Sequence, residues 1–297
     1  MHLSLPPRTL PHIGVAPDIL FSIGPFPVAN TWVTALLSAA VVLGIFWVAV
    51  RRPRMVPRGV QNLVEYMVQS FDNLCEDVAG PKKGRIFFPW VMAIFLYVFV
   101  SNLWEIVPGI ESIGSPAPGS HPVGGTSWLY LLGVGTQEMT VWLRSPSSDL
   151  NFTLAIAIVS VLVTQYYGFK MLGFKQQLGR YFPIKEGPIG IAVGLLEVIL
   201  EIARIISFGF RLFGNIFAGG VLLLVMSFLI PVAAPFIFYF LEIFVGFIQA
   251  FVFAMLTLVF LTLGTTGHGE HDAQEDHLAE VSKEGLDKAE QVLAAAQ

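Results

Sequence analysis

Five long runs of apolar residues divide the chain, near residues 28–50, 86–107, 150–172, 189–230 and 232–264. Each run reaches or exceeds the about 20 residues that a helix needs to cross a bilayer. Residues 59–79 follow another pattern, in which apolar side chains recur at helical spacing and acids occupy the opposite face. We therefore predict an all-α polytopic membrane protein with about five spanning helices and one interfacial amphipathic helix.

Composition agrees with this pattern. Hydrophobic residues make up 55% of the chain and charged residues only 13%, whereas a soluble domain carries about 25% charged residues. The charges concentrate in the connectors and in the last segment. We expect an extracytoplasmic segment at 1–27, a membrane domain at 28–264 and an acidic cytoplasmic tail at 265–297.

Basic residues are unevenly distributed between the connectors. One set of connectors holds most of them, namely Arg51, Arg52, Arg54, Arg58, Lys82, Lys83, Arg85, Lys170, Lys175, Arg180 and Lys185. The other set holds only Arg8 and Arg144. Because positive connectors stay in the cytoplasm, the N-terminus is predicted outside and the C-terminus inside. The expected location is the cell inner (plasma) membrane.

The last two apolar runs are unusually long. No proline interrupts the 42 residues between Pro188 and Pro231. A continuous helix of that length would reach about 63 Å, against a hydrocarbon layer of about 30 Å. Either the segment breaks, or the helix is tilted far beyond the about 20° average. Since two over-long runs are adjacent, we predict a pair of steeply tilted helices.

The fourth run also carries buried charge. One stripe along a helix face recurs at steps of three and four, through Glu197, Glu201, Arg204, Phe208, Arg211 and Asn215, with Ser207 beside it. A charge at the bilayer centre costs about 2.5–3.5 kcal/mol on insertion scales, so such residues mark ion pathways by default. For Glu201 and Arg204, an ion-pair ladder along the helix is an equally good interpretation.

Arg211 differs from these two residues. Glu201 lies ten residues away, and neither Ser207 nor Asn215 can neutralise a guanidinium. Its partner must come from the fifth run or from another chain. Because arginine stays protonated, it can act as a fixed positive barrier to a proton wire.

Small residues surround this arginine in sequence, and the fifth run adds polar residues of its own. Gly209, Gly214, Ala218, Gly219 and Gly220 permit the close approach of another helix. Packing against the fifth run is the alternative. That run contributes Glu242 and Gln249, one heptad apart and so on one side.

Several stretches resemble the a subunit of rotary F-type ATP synthases. They are SFGFRLFGNIFAG at Ser207–Gly219, FIQAFVFAMLTLVFL at Phe247–Leu261, IGPFPVANT at Ile23–Thr31, RSPSSDLNFTLA at Arg144–Ala155 and SNLWEIVPG at Ser101–Gly109. The likeness covers nearly the whole membrane portion, in the order of the family.

The resemblance implies roles for individual residues. Arg211 would be the essential charge that faces the rotor carboxylate. Asn215 and Gln249 would line the outer half-channel. Many members carry an acid where this chain has Gly220, and Glu242 would be the relocated carboxylate of that path. Glu197 and Ser207 would lie along the cytoplasmic half-channel, and Glu201 and Arg204 are further candidates.

The implied function is a proton-conducting stator subunit that takes no part in nucleotide chemistry. The implied partners are the c-subunit ring, b-type peripheral stalk subunits, the rest of the ATP synthase and membrane lipid. No cofactor, metal or nucleic acid is expected, and the sequence holds no phosphate-binding G-x-x-x-x-G-K-[ST] stretch. A sodium-coupled version of the subunit and an independent secondary transporter remain as alternatives, although the chain shows no internal repeat of the kind that transporters carry.

Overall fold

The computed structural model describes residues 17–51, 53–107, 114–116, 139–181, 187–229 and 233–266. The helices are α1 (Asn30–Val50), α2 (Val60–Ile106), α3 (Leu150–Leu172), α4 (Phe174–Tyr181), α5 (Gly187–Leu229) and α6 (Ala233–Gly264). Most of the tail predicted at 265–297 and most of the segment predicted at 1–27 lie outside the described residues.

Two short antiparallel pairs accompany the helices. Strands β1 (Ile19–Ile23) and β2 (Phe26–Ala29) form a hairpin directly before α1. Strands β3 (Gly114–Pro116) and β4 (Met139–Val141) pair before a 3-10 turn at Pro146–Ser148 that leads into α3. The prediction of an all-α membrane fold is confirmed, with these hairpins as minor additions.

Four helices in the described part of the chain are long and apolar enough to cross a membrane. They are Asn30–Val50, Val60–Ile106, Leu150–Leu172 and Phe236–Gly264. Helix α5 forms where the fourth span was predicted and is 43 residues long, but it is not one of these four. The chain is a multi-pass membrane protein, while the crossing and tilt of α5 stay predictions.

Helix α2 contains a break between the predicted interfacial helix and the predicted second span. Gly80 has φ 78° and ψ 162°, a backbone conformation outside the helical region that glycine adopts at little steric cost. Four residues later, the backbone at Gly84 packs closely against the first half of α2. A Cβ on Gly84 would lie only 2.6 Å from the Cys75 carbonyl oxygen. The two predicted segments are therefore two helices joined at a glycine corner.

The first half of α2 packs only part of its apolar face. Val64, Phe71 and Cys75 are buried, and the Phe71 ring lies 4.5 Å from that of Phe95 in the second half. Val60 and Leu63, predicted on the same face, are exposed. The amphipathic pattern predicted the helix correctly, but only some of the apolar side chains on its predicted face are buried.

The chain divides into two compact units. One comprises residues 1–161 and 201–258, and the other comprises residues 162–200 and 259–297. In the second unit, Gln165 donates to the Tyr181 hydroxyl across 2.6 Å and accepts from Gln177 across 3.0 Å, which ties α3 to α4. The first unit holds all but one of the candidate site residues.

Candidate functional site

Arg211 lies on the exposed face of α5. Within the described residues its guanidinium donates one long hydrogen bond, to Ser207 Oγ across 3.4 Å, and it stands 5.9 Å from the Phe208 ring centroid. It makes no ion pair with any described acid. Of the two sources predicted for its partner, the described part of α6 supplies no acid that pairs with it.

The surface around this arginine has little side-chain bulk. Ser207 and Ala218 are exposed on α5. A Cβ added to Gly214 would meet nothing within 4 Å. The exposed face near Arg211 can therefore receive a closely approaching neighbour, as small residues in membrane helices commonly allow.

Glu201 and Arg204 form an ion pair on the same helix. Arg204 Nη1 lies 3.1 Å from Glu201 Oε2 and 3.2 Å from Oε1, and both side chains are mostly buried. This is the within-helix pair that the i,i+3 spacing predicted. Glu197 lies in α5 within the other compact unit.

Asn215 and Gln249 join α5 to α6. The Asn215 side-chain amide donates to Gln249 Oε1 across 2.8 Å. Phe208 on α5 packs against Phe253 on α6 with ring centroids 5.0 Å apart. Because the earlier residue of α5 meets the later residue of α6, the two helices are antiparallel here, and two residues predicted to act together are in contact.

Glu242 is buried against Gly219. A Cβ at Gly219 would overlap both carboxylate oxygens of Glu242, so the glycine makes the space that this side chain occupies. Glu242 is 5% exposed, and its Oε1 has no hydrogen-bond partner among the described residues. A structural ion pair would need a nearby cation, and no described cation contacts this carboxylate.

Glu105 of α2 lies against the next residue of α5, Gly220. Its Oε1 overlaps the position of a Cβ on Gly220, so a carboxylate from α2 fills the space where the resemblance led us to expect an acid. The resemblance pointed only to Glu242 as the replacement for that acid. The available signal for Glu105 was an acid in the last turn of an apolar span.

Further buried polar atoms lie on the same two helices as these acids, within two turns of them. Asn102 Nδ2 donates to the Gly246 carbonyl oxygen across 3.1 Å, which joins α2 to α6. Asn102 Oδ1 and Gln249 Nε2 are buried and have no hydrogen-bond partner among the described residues. Buried polar atoms are nearly always bonded, so such a group of exceptions indicates a place for water or a mobile ion. The described residues hold no group of three or more His, Cys, Asp or Glu side chains that could bind a metal.

Three of the motifs quoted above meet at one buried polar patch. Thr31 donates to Asp149 Oδ2 across 3.0 Å, and Asn30 donates to the Val141 carbonyl across 3.0 Å. Ser145 donates to the Ser101 carbonyl across 3.1 Å. Stretches more than 40 residues apart in sequence are thus held together by hydrogen bonds that are largely buried.

The sequence of this chain is similar to known proteins over most of its length. The family model described as ATP synthase A chain matches residues 32–262. A protein named ATP synthase subunit a from Moorella thermoacetica is 28% identical over 258 residues, which are 86% of this chain and 99% of that protein. A protein of the same name from Helicobacter pylori strain Shi470 is 32% identical over 231 residues, or 77% and 84% of the two chains.

A third relative, ATP synthase subunit a from Oceanobacillus iheyensis, is 29% identical over 261 residues, which are 84% of this chain and 91% of that protein. The match includes Arg211 and every other candidate residue discussed above. The chain therefore belongs to the ATP synthase A chain family.

Proposed function

We propose that this chain is the ion-conducting stator subunit of an F-type ATP synthase. The relatives are named ATP synthase subunit a, and Arg211 is the single observation that carries the proposal. Its guanidinium is exposed on α5 and makes no ion pair with any described acid. A fixed charge on a membrane helix is costly unless a partner or water compensates it. A carboxylate on a ring of c subunits is the partner that fits.

The arginine would separate two half-channels that end at the rotor. A proton from the outer side neutralises a rotor carboxylate, which can then face lipid. After nearly a full turn the carboxyl meets the inner half-channel and loses its proton. Arg211 attracts the ionised carboxylate and blocks direct passage between the channels, since its own proton is not released. The driving force is about 2.3 kcal/mol per charge for each 100 mV.

The outer path would run through the contact between α5 and α6. Glu242 is a buried carboxylate with one oxygen unbonded by any described residue. Asn215, which donates to Gln249, lies on α5 one turn from Arg211 and one turn from Gly219, against which Glu242 packs. Ser207 and Glu197 would line the inner path. Glu201 and Arg204 hold each other by an ion pair, which favours a supporting role for both.

The proposed partners are the c-subunit ring, b-type peripheral stalk subunits and the rest of the synthase. The connector charges favour an outer N-terminus and a cytoplasmic C-terminus in the plasma membrane. A sodium-coupled version uses the same arginine. An independent secondary transporter is disfavoured, because a transporter that works alone would pair such an arginine with an acid of its own chain.

The test is Arg211→Ala in the assembled complex, with Arg54→Ala as a matched loss of charge in the exposed connector between α1 and α2. We expect Arg211→Ala to abolish ATP-driven proton pumping by inverted vesicles while the complex still assembles, and Arg54→Ala to pump normally. Near-normal pumping by assembled Arg211→Ala would contradict the proposal. ATP-driven uptake of Na⁺ that persists in the presence of a protonophore would select the sodium version.

A further inference from the structure

Two consecutive glycines of α5 each receive a carboxylate from a different helix. Glu242 of α6 lies against Gly219, and Glu105 of α2 lies against Gly220. Successive helix positions point about 100° apart around the axis. The two acids therefore approach the same turn of α5 from neighbouring directions. Neither glycine places a side chain between them.

Further unbonded polar atoms lie within two helical turns of these contacts. Asn102, one turn before Glu105, is fixed to α6 by its bond to the Gly246 carbonyl, one turn after Glu242. Asn102 Oδ1, Glu242 Oε1 and Gln249 Nε2 have no hydrogen-bond partner among the described residues, and each of the three side chains is at least 95% buried. A buried site with several such atoms is polar enough to hold water, which needs two to four partners.

We infer that Glu105 is a second proton-carrying carboxyl of the outer access path and acts with Glu242 across the Gly219–Gly220 step. This inference rests on the function proposed above. In the step itself, the O–H bond of the Glu105 carboxyl breaks and an O–H bond forms on the Glu242 carboxylate, directly or through one water. No other bond changes. Glu105 lies in the last turn of α2, the end that the connector charges place outside.

The order of the two acids follows from their positions. From Gly219 the next polar contact toward Arg211 is the Asn215–Gln249 pair, one helical turn away. Glu242 is the acid on the helix that carries Gln249, so it is the inner member of the pair. Glu105 is on α2, which contributes no candidate residue nearer to Arg211, so it is the outer member.

A spacer role for Glu105 makes a different prediction from a proton-carrying role. If the side chain only filled the space beside Gly220, an uncharged isostere would serve equally well. If it carries protons, the isostere fails, and a carboxyl returned to the same place from α5 succeeds. Because Glu105 Oε1 overlaps the Cβ position of Gly220, the substitution Gly220→Asp would return a carboxyl group to that place from α5.

The experiment measures ATP-driven proton pumping per assembled complex in inverted vesicles. The variants are Glu105→Gln, Glu105→Asp, Glu105→Ala, and Glu105→Ala combined with Gly220→Asp. Glu65→Gln, a neutralised acid on an exposed part of α2, is the matched control. Arg211→Ala is measured alongside, so that failure of the proposed function is distinguished from failure of this inference.

We expect Glu105→Gln to lower pumping at least about tenfold with normal assembly, in line with the contribution of a positioned proton-transfer group. Glu105→Asp should keep part of the rate, and Gly220→Asp should raise the rate of Glu105→Ala. Glu105→Gln combined with Glu242→Gln should pump only slightly more slowly than the slower single variant, because the delays of two steps in series add and do not multiply. Normal pumping by Glu105→Gln, or a loss explained wholly by poor assembly, would overturn the inference even if Arg211→Ala is inactive.

Discussion

The Asn215 amide donates to Gln249 Oε1 across 2.8 Å and thereby connects α5 to α6 one turn from the exposed Arg211. This bond fixes which end of the Gln249 side chain faces α5. Gln249 Nε2 is left pointing into buried space with no partner among the described residues. The bond therefore leaves a donor available at the inner end of the proposed outer path.

We predict that this bond couples the two residues energetically. Asn215→Ala and Gln249→Ala should each lower the stability of the purified complex, and the double variant should lose less than the sum of the two. The expected coupling is about 0.5–1.5 kcal/mol, the net worth of a hydrogen bond. Thermal unfolding in detergent measures it, and strictly additive losses would show that the bond contributes nothing.

The glycine corner of α2 supports a second prediction. In Gly84→Ala the new Cβ would lie 2.6 Å from the Cys75 carbonyl oxygen and 2.7 Å from the Glu76 nitrogen. Because these are backbone atoms, the two halves of α2 must move apart, at a cost of about 1–3 kcal/mol. Gly44→Ala is the control, since its Cβ would meet nothing within 4 Å. A lowered melting temperature for the control alone would refute the steric argument.

Hydrogen bonding between α1 and the start of α3 gives a third prediction. Thr31→Val keeps the side-chain shape but removes the donor to Asp149 Oδ2, both residues being almost fully buried. A buried acceptor that loses its donor costs about 1–3 kcal/mol. Thr31→Ser should retain most of the stability, because it keeps the hydroxyl. Equal melting temperatures for Thr31→Val and Thr31→Ser would mean that the hydrogen bond to Asp149 is dispensable.

Membrane orientation can be tested with single cysteines. In a Cys75→Ser background, Ser22→Cys in the β1–β2 hairpin and Gln176→Cys in α4 replace exposed side chains. The uneven distribution of basic connectors predicts that an impermeant maleimide labels Ser22→Cys from outside and Gln176→Cys from the cytoplasm. Labelling of both from one side of intact cells would break the predicted topology.

Helix positions could be predicted because hydrophobic runs report directly on what lipid and core require. Spacing alone also identified the Glu201–Arg204 pair, since i,i+3 neighbours share a helix face. The meeting of Glu105 with Gly220 could not be found in this way. The two residues are far apart in sequence, and only the packing of α2 on α5 brings them together. The same holds for Gly80, whose role as a break depends on where the chain must turn.

Family resemblance pointed to Glu242 as the replacement for the acid expected at Gly220, and it did not point to Glu105. Glu242 was found because it lies one heptad from Gln249. Glu105 was not, because a single acid near a helix end is also the usual pattern of a residue that reaches the interface. The contact of its carboxylate with Gly220 of α5 distinguishes the two cases, and that contact is a property of the folded chain.

Helix α5 carries two guanidinium groups seven residues apart, and only the first of them forms an ion pair with a described acid. Arg204 is held by Glu201, whereas Arg211 has no described acid to hold it. A negative group moving along this helix would therefore encounter one electrostatic minimum instead of two. Under the proposed function, each rotor carboxylate would have one resting position on the stator. The angle of each rotary step would then be set by the spacing of carboxylates on the ring, and this chain would fix only where the step begins.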